Sequence, residues 1–446
     1  MKIVNVSVED LFYTYTYSIE LNTDSLVSII HAPNGYGKTT VFRLIRDIFD
    51  LNVKGIYNIP FKRFSIELSD CTQITITKKE QIDDGEYQYT FPIEIFISKD
   101  GSQAPSLVIQ RNNLLQILDD SRGPRYQQER VFSEIINNNN KLISEFIRIR
   151  ENLEVNFIET SRLYVQPYSD KLYSIIEFEK RSTISRNELV RKNPRSGIEA
   201  NERIVYCAYC LRNLINRVKQ QYSTISEEID RSFPNRLVAA VNAKSSHYTD
   251  EEIKNKLVEL EEKRKELKRT GFISSDQNES LPSITDSDET LLIFYTLYID
   301  DTFKKLSHYD DIKRKIELFL EIINFKTSFS NKEMSINSDG KVFFKPKGKS
   351  TRPNREIALD SLSSGEKHDF ILFYELIFNS NENKVFLIDE PEISLHVAWQ
   401  VEYIEIIEGI CKMNDMQAII ATHSPDIVNG RDDLLISLGI EDEDEE

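Results

Sequence analysis

Apolar positions in this chain repeat with two different periods, and the change of period divides it. Residues 25–30 (SLVSII) form a short apolar run that reads as a buried strand. From Thr39 onward, Phe42, Ile45 and Ile48 take helical spacing. Between residues 62 and 111 the period is two. Phe64, Ile66 and Leu68, then Ile74 and Ile76, then Ile93, Ile95 and Ile97 alternate with polar neighbours, as half-buried antiparallel strands do. Asp84-Gly85 and Asp100-Gly101 mark turns.

After about residue 125 the texture becomes helical. Ile204, Ala208, Leu211, Ile215, Val218 and Tyr222 step by 4, 3, 4, 3 and 4, which is a heptad seam. Ile253, Leu257, Leu260 and Leu267 repeat that seam with charged Arg264 in one slot, and Gly271 stops the helix. Residues 274–289 are polar and read as a loop, and a second helical run holds Ile312, Ile316, Phe319 and Ile323. Arms of roughly 20 residues span about 30 Å. Their seam has two places to bury, against neighbours within the chain or against another subunit. Asn337-Ser338-Asp339-Gly340 reads as a hairpin turn with Val342, Phe343 and Phe344 on the return strand. Residues 383–389 (NKVFLID) and 416–421 (MQAIIA) are two further apolar strands.

Composition narrows the class. With 446 residues, 40% of them hydrophobic and 29% charged, the chain is an ordinary globular protein long enough for several domains. It has no apolar run near the ~18 residues of a membrane span. The N-terminus, MKIVN, has no signal-peptide layout, so the expected location is cytoplasmic and no membrane is expected among its partners. Four cysteines make no disulfide framework. Cys207 and Cys210 form a C-x-x-C within a helical pattern, and with no second pair nearby they read as core-edge thiols rather than a zinc site. The net charge of −17 argues against a protein that coats DNA. Charge is nevertheless uneven: residues 341–355 hold six basic side chains and no acid, while residues 441–446 are all acidic.

The candidate chemistry gathers at the ends of the apolar strands. Behind residues 25–30 comes APNGYGKTT, residues 32–40, whose Gly37-Lys38-Thr39-Thr40 opens a helix. A strand, a glycine-containing loop and a helix start are the context a phosphate-binding loop requires. There Lys38 would reach β/γ-phosphates and the Thr39 hydroxyl would bind Mg²⁺. Asn34, Gly35, Tyr36 and Thr40 complete the loop, and Ala32 stands where the motif has its first glycine. Residues 385–392, VFLIDEPE, end a strand in carboxylates: Asp389 fits a Mg²⁺-holding acid and Glu390 a base for the attacking water. Residues 362–366, LSSGE, precede an apolar helix, so Ser363 and Gly365 sit at a helix N-terminus suited to an anion, or to a simple serine cap. Ser394-Leu395-His396 follows the carboxylates. Finally ATHSP, residues 421–425, puts His423 at the C-terminal end of a strand, where open α/β sheets hold their ligands.

Taken in order, these stretches resemble the ABC-type ATPases of the RecF, structural-maintenance-of-chromosomes and OLD group. APNGYGKTT resembles their Walker A, LSSGE their signature, VFLIDEPE their Walker B, SLH their D-loop and ATHSP their switch-histidine motif. Gly365 to Asp389 spans 24 residues and Asp389 to His423 spans 34, both compatible with that group. Departures are Ala32, and Ser364 with Glu366 in the signature. Gln166 is the candidate for the family's Q-loop glutamine. The resemblance implies an α/β fold: an ABC-type P-loop ATPase head, with a mixed sheet and an antiparallel β subdomain, carrying a helical insertion with short coiled-coil arms. Residues 1–124 would be the first part of the ATPase lobe, 125–330 the insertion and 331–446 the second part. It implies ATP and Mg²⁺ as ligands. It also implies a homodimer, or a higher homo-oligomer, in which ATP held by Lys38 of one protomer is closed by Ser363 and Gly365 of another. His423 would sense the γ-phosphate.

OLD-type proteins carry a Toprim nuclease after the ATPase, whereas 21 residues follow Pro425 here. The chain therefore resembles the stand-alone ATPase subunits of bacterial anti-phage systems of the PARIS and Septu types. These are paired with a separate effector nuclease, Toprim-type or H-N-H-type, and a phage protein is the expected trigger. A DNA-repair ATPase like RecF, acting directly on DNA, is the alternative. A transporter subunit is disfavoured by the roughly 325 residues between the phosphate loop and the signature.

Overall fold

The computed structural model of the protein describes residues 1–438 except 51, 84–85, 100–101, 104–106, 110–139, 160–199, 246, 274–288, 348–355, 380–381 and 395–396. The expected Asp84-Gly85 and Asp100-Gly101 turns, Gln166, Leu395, His396, the loop before Glu289, the second half of the basic segment and the acidic tail lie outside the described residues.

Two compact units are formed, residues 1–162 with 379–446, and residues 163–378. The first contains an antiparallel sheet and a parallel one. The antiparallel sheet runs β2 (Tyr15–Glu20), β1 (Ile3–Leu11), β4 (Arg63–Leu68), β5 (Thr72–Asp83), β6 (Glu86–Lys99), with β7 (Ser102–Gln103) and β8 (Leu107–Ile109) both paired to β6. Its alternation is the expected one: Ile66, Ile74 and Ile97 face the core while Glu67 and Gln73 between them do not. The parallel sheet has the order β14 (Leu435–Ser437), β3 (Val27–His31), β13 (Gln417–Thr422), β12 (Lys384–Asp389), β9 (Glu154–Ile158). Every residue of β12 and β13 is buried, which is why these strands read as continuous apolar runs rather than alternations.

Helices α1 (Lys38–Phe49), α2 (Val53–Asn58) and α3 (Asn140–Asn152) belong to this unit. One hydrophobic core joins Phe42 and Ile45 of α1, Ile149 of α3, Phe64 and Ile76 of the antiparallel sheet and Leu387 of the parallel one. Register sets the site. Asp389 pairs with Ala421 and Thr422 with His31, so the C-terminal ends of β3, β12 and β13 lie side by side.

The second unit holds α4 (Ala200–Asn242), α5 (Asp250–Arg269), α6 (Glu289–Leu306), α7 (Asp310–Ser328) and α8 (Ser364–Phe378), with a hairpin of β10 (Lys332–Ile336) and β11 (Val342–Pro346). At 43 residues, α4 is about twice the length expected of an arm. It passes through Pro234, beside which the Ile229 carbonyl accepts from the side chains of Arg236 and Ser232. The seam buries inside the chain. Ile204, Leu211 and Ile215 are fully buried, and Tyr222 stacks on Tyr309 at 4.8 Å. On α5 the buried positions are Ile253, Leu260 and Leu267, one heptad apart, and α6 packs against both α4 and α5. Arg236 forks onto Asp301 at 2.6 and 2.7 Å, so this packing is pinned by ions as well as by apolar contact. Cys207 is buried and Cys210 half-buried, both as free thiols.

The hairpin and α8 group with these helices, not with the sheets. Lys326 of α7 pairs with Asp369 of α8, Arg203 of α4 with Glu375, and Lys332 of β10 with Glu366.

Candidate functional site

The loop of residues 32–37 turns from β3 into α1, and its backbone explains the alanine. Ala32 is buried in the core with ordinary negative φ, a conformation any L residue accepts. The left-handed positions are Gly35, φ 94°, and Gly37, φ 81°. A Cβ at Gly37 would also stand 2.9 Å from a Leu11 methyl. The glycines are kept where the geometry requires them. Asn34 and Gly35 are exposed at the tip, and Thr40 lies in the first turn of α1. Tyr17 donates its hydroxyl to the Tyr36 carbonyl at 3.1 Å, and the Tyr15 ring stacks on both Tyr17 and Tyr36, so three aromatics shape the loop.

Lys38 is buried, and its ammonium donates to the carbonyls of Ala32, at 2.5 Å, and Pro33, at 3.0 Å. Burial lowers its pKa, while Glu390, Asp389 and Glu392 oppose that. Thr39 donates its hydroxyl to the fully buried Asp389 at 2.8 Å. These are two hard oxygen donors in contact at a helix N-terminus, a set suited to Mg²⁺.

Glu390 is a non-glycine residue at φ 45°, and its N–H donates to the Ala421 carbonyl at 2.8 Å. The chain leaves β12 there, placing consecutive carboxylates differently. Asp389 faces Thr39, whereas Glu390 lies 3.8 Å from His423 Nδ1. Glu392 comes closer, its Oε1 3.0 Å from the same nitrogen. The phosphate loop, Asp389, Glu390 and His423 thus converge at the C-terminal ends of β3, β12 and β13. Glu392 was not among the expected site residues. In sequence it is one acid of three in DEPE, and its approach to His423, shorter than that of Glu390, sets it apart.

Ser363 and Gly365 belong to the second unit. Ser363 caps α8 in a reciprocal box: its hydroxyl accepts from the Glu366 N–H at 3.3 Å, and its own N–H donates to Glu366 at 2.7 Å. Glu366 also takes Lys332 at 2.7 Å and Ser330 at 2.6 Å. Burial alone would raise its carboxyl, but the hydrogen bonds from Lys332, Ser330 and Ser363 outweigh it and lower the pKa to about 2.

A parallel-sheet phosphate loop with a strand-end acid on its threonine, within a mixed α/β fold, defines a P-loop ATPase. The chain belongs to the AAA ATPase domain family, whose profile matches residues 1–428, and it is an ATPase. The chain is also similar to a crystal structure of the Smc head bound to the C-winged helix domain of ScpA. The identity is 12%, over 99% of this chain and 95% of that one, with a TM-score of 0.34. No curated protein matches it. Among the described residues no helix is long and apolar enough to cross a membrane.

Proposed function

We propose that the protein binds Mg·ATP at the ends of β3, β12 and β13, dimerises around two nucleotides, and uses that cycle to control a separate effector nuclease in anti-phage defence. The observation that supports the ATP site best is the contact of Thr39 with Asp389, 2.8 Å between the phosphate loop and the strand-end acid. In this reading the loop N–H groups of residues 34–40 surround the phosphates and Lys38 supplies a point charge at the β/γ-phosphates. Thr39 and Asp389 hold Mg²⁺, which when bound neutralises phosphate charge. Glu390 takes the proton of the attacking water and His423 contacts the γ-phosphate. Ser363 and Gly365, at the start of α8, close the nucleotide held by a second copy.

The dimer, the phage-protein trigger and the Toprim-type or H-N-H-type nuclease partner are drawn from the resemblance of the motifs to ABC-type and stand-alone defence ATPases. The net charge of −17 favours this over direct action on DNA. Light scattering of the protein with ATP and Mg²⁺ tests the dimer. Co-purification with the product of the neighbouring gene tests the partner. ATPase activity strongly stimulated by DNA, with a steep fall in salt, would reverse the choice in favour of the DNA-repair reading.

A further inference from the structure

We propose that Tyr17 is a positioning residue of the nucleotide site, whose hydroxyl fixes the Tyr36–Gly37 peptide so that the Gly37 N–H is turned toward the phosphates. The inference rests on the reading of residues 32–40 as the phosphate loop. Tyr17 lies on β2, opposite Val8 of β1, and donates its hydroxyl to the Tyr36 carbonyl at 3.1 Å. A trans peptide carries its C=O and the following N–H on opposite sides. A carbonyl held toward β2 therefore turns the Gly37 N–H away from β2. Among the described residues no backbone carbonyl takes that N–H. It is left for an anion, the ligand that a loop opening a helix is suited to take.

The peptide needs holding. Glycine accepts either sign of φ, so a peptide that leads into one can flip at little cost. Gly37 stands at φ 81°, and the Tyr17 hydroxyl selects the orientation that goes with it. The hairpin of β1 and β2 supports that hydroxyl. Leu11 and Tyr15 face each other across it, and a Cβ at Gly37 would stand 2.9 Å from a Leu11 methyl and 3.7 Å from the Phe12 ring. Tyr15 stacks on Tyr17 at 5.7 Å and on Tyr36 at 5.5 Å, so both ends of the hydrogen bond are braced. Burial raises the Tyr17 pKa, and the neighbouring Tyr15 and Tyr36 raise it further, so the hydroxyl keeps its hydrogen. Because the hydroxyl serves the loop backbone, what it governs is affinity for phosphates.

The test is binding of ATP and of inorganic tripolyphosphate to the full-length protein, wild type against Tyr17→Phe, which removes the hydroxyl and keeps the stacked ring. The variant should bind both roughly 3–10-fold more weakly, the net contribution of about one hydrogen bond. The factor should be the same for the two ligands, and the KM for ATP should rise more than kcat falls. Tyr36–Gly37 is the one Tyr-Gly pair in the sequence, so ¹³C at tyrosine carbonyls with ¹⁵N at glycines gives a single peptide cross-peak. That cross-peak should move in Tyr17→Phe, and in the wild type its amide proton should shift downfield when tripolyphosphate binds. Unchanged tripolyphosphate affinity in Tyr17→Phe, a loss confined to ATP, or a wild-type cross-peak indifferent to bound tripolyphosphate overturns the proposal. The last of these decides it even if the variant does not fold. Lys38→Ala binding tripolyphosphate at wild-type affinity would instead remove the phosphate-loop reading, and this inference with it.

Discussion

Thr39 and Asp389, 350 residues apart, share one hydrogen: the threonine hydroxyl lies 2.8 and 3.1 Å from the two carboxylate oxygens. The contact closes the N-terminal and C-terminal motifs into one site, and in the proposed function both donors would hold one divalent cation. A hard cation prefers the charged oxygen. Asp389→Asn should therefore raise the Mg²⁺ concentration for half-maximal turnover by roughly ten- to a hundredfold, and chelation should stop the wild-type enzyme. An unchanged Mg²⁺ titration in the variant would place the cation elsewhere.

Lys38 and Glu390 should separate binding from chemistry. Lys38→Ala removes the charge expected at the β/γ-phosphates and should abolish ATP binding in a direct binding assay. Glu390→Gln keeps size and hydrogen bonding but cannot accept the proton. It should bind ATP and hydrolyse it about 10²–10⁴-fold more slowly, the usual cost of losing a general base. Nucleotide binding at wild-type affinity by Lys38→Ala would remove the phosphate loop from the reading. Near-normal hydrolysis by Glu390→Gln would move the base to another carboxylate, Glu392 first.

How much of this was legible in the sequence depended on the reach of each signal. β12 and β13 are buried end to end, so their apolar runs and the acids or histidine that end them stood out. Gly35 and Gly37 sit at positive φ, so the loop motif followed local backbone geometry, and Ala32 was tolerated because it does not. β1 and β2 were not foreseen: the spacing of Ile3, Val6, Val8 and Leu11 breaks alternation, and their pairing shifts register between Val8 and Leu11. The seam on α4 was visible at Ile204 and Leu211, but the length of the helix was not, because Pro234 lacks the N–H that would bond the Asp230 carbonyl and so reads as a stop. Glu392 could not be told from its neighbours, since burial beside His423 is a property of two strands brought together.

The cap of α8 should make part of the stability depend on pH. Glu366 has an ordinary pKa of 4.5 and a folded value of about 2. The folded value is the lower one, so the stabilisation is fully present above the unfolded pKa and is lost as pH falls from about 4.5 through about 2. Glu366→Gln should lower the midpoint of thermal unfolding near neutral pH. The gap from wild type should narrow as the pH is taken from 5 toward 3. A gap that stays constant across that range would mean that the Lys332 and Ser330 contacts do not hold the carboxylate charged.

The shared site can be tested at Gly365. An added Cβ there meets nothing within 4 Å, and its φ is not left-handed, so a side chain is tolerated by the chain itself. Gly365→Glu would put negative charge and volume at the start of α8, where the γ-phosphate held by a second copy is expected. The isolated protomer should still bind ATP, because Lys38 and Thr39 are untouched, but ATP-dependent dimerisation and hydrolysis should disappear. Mixed with Lys38→Ala, it should regain at most one working site per dimer. That site would combine the intact loop of the Gly365→Glu chain with the intact signature of the Lys38→Ala chain, while the opposite site would carry both lesions. Neither variant alone can build such a site, so recovery on mixing can come only from residues contributed by two chains. No recovery from variants that still associate, or normal hydrolysis by Gly365→Glu alone, would mean that each protomer completes its own site.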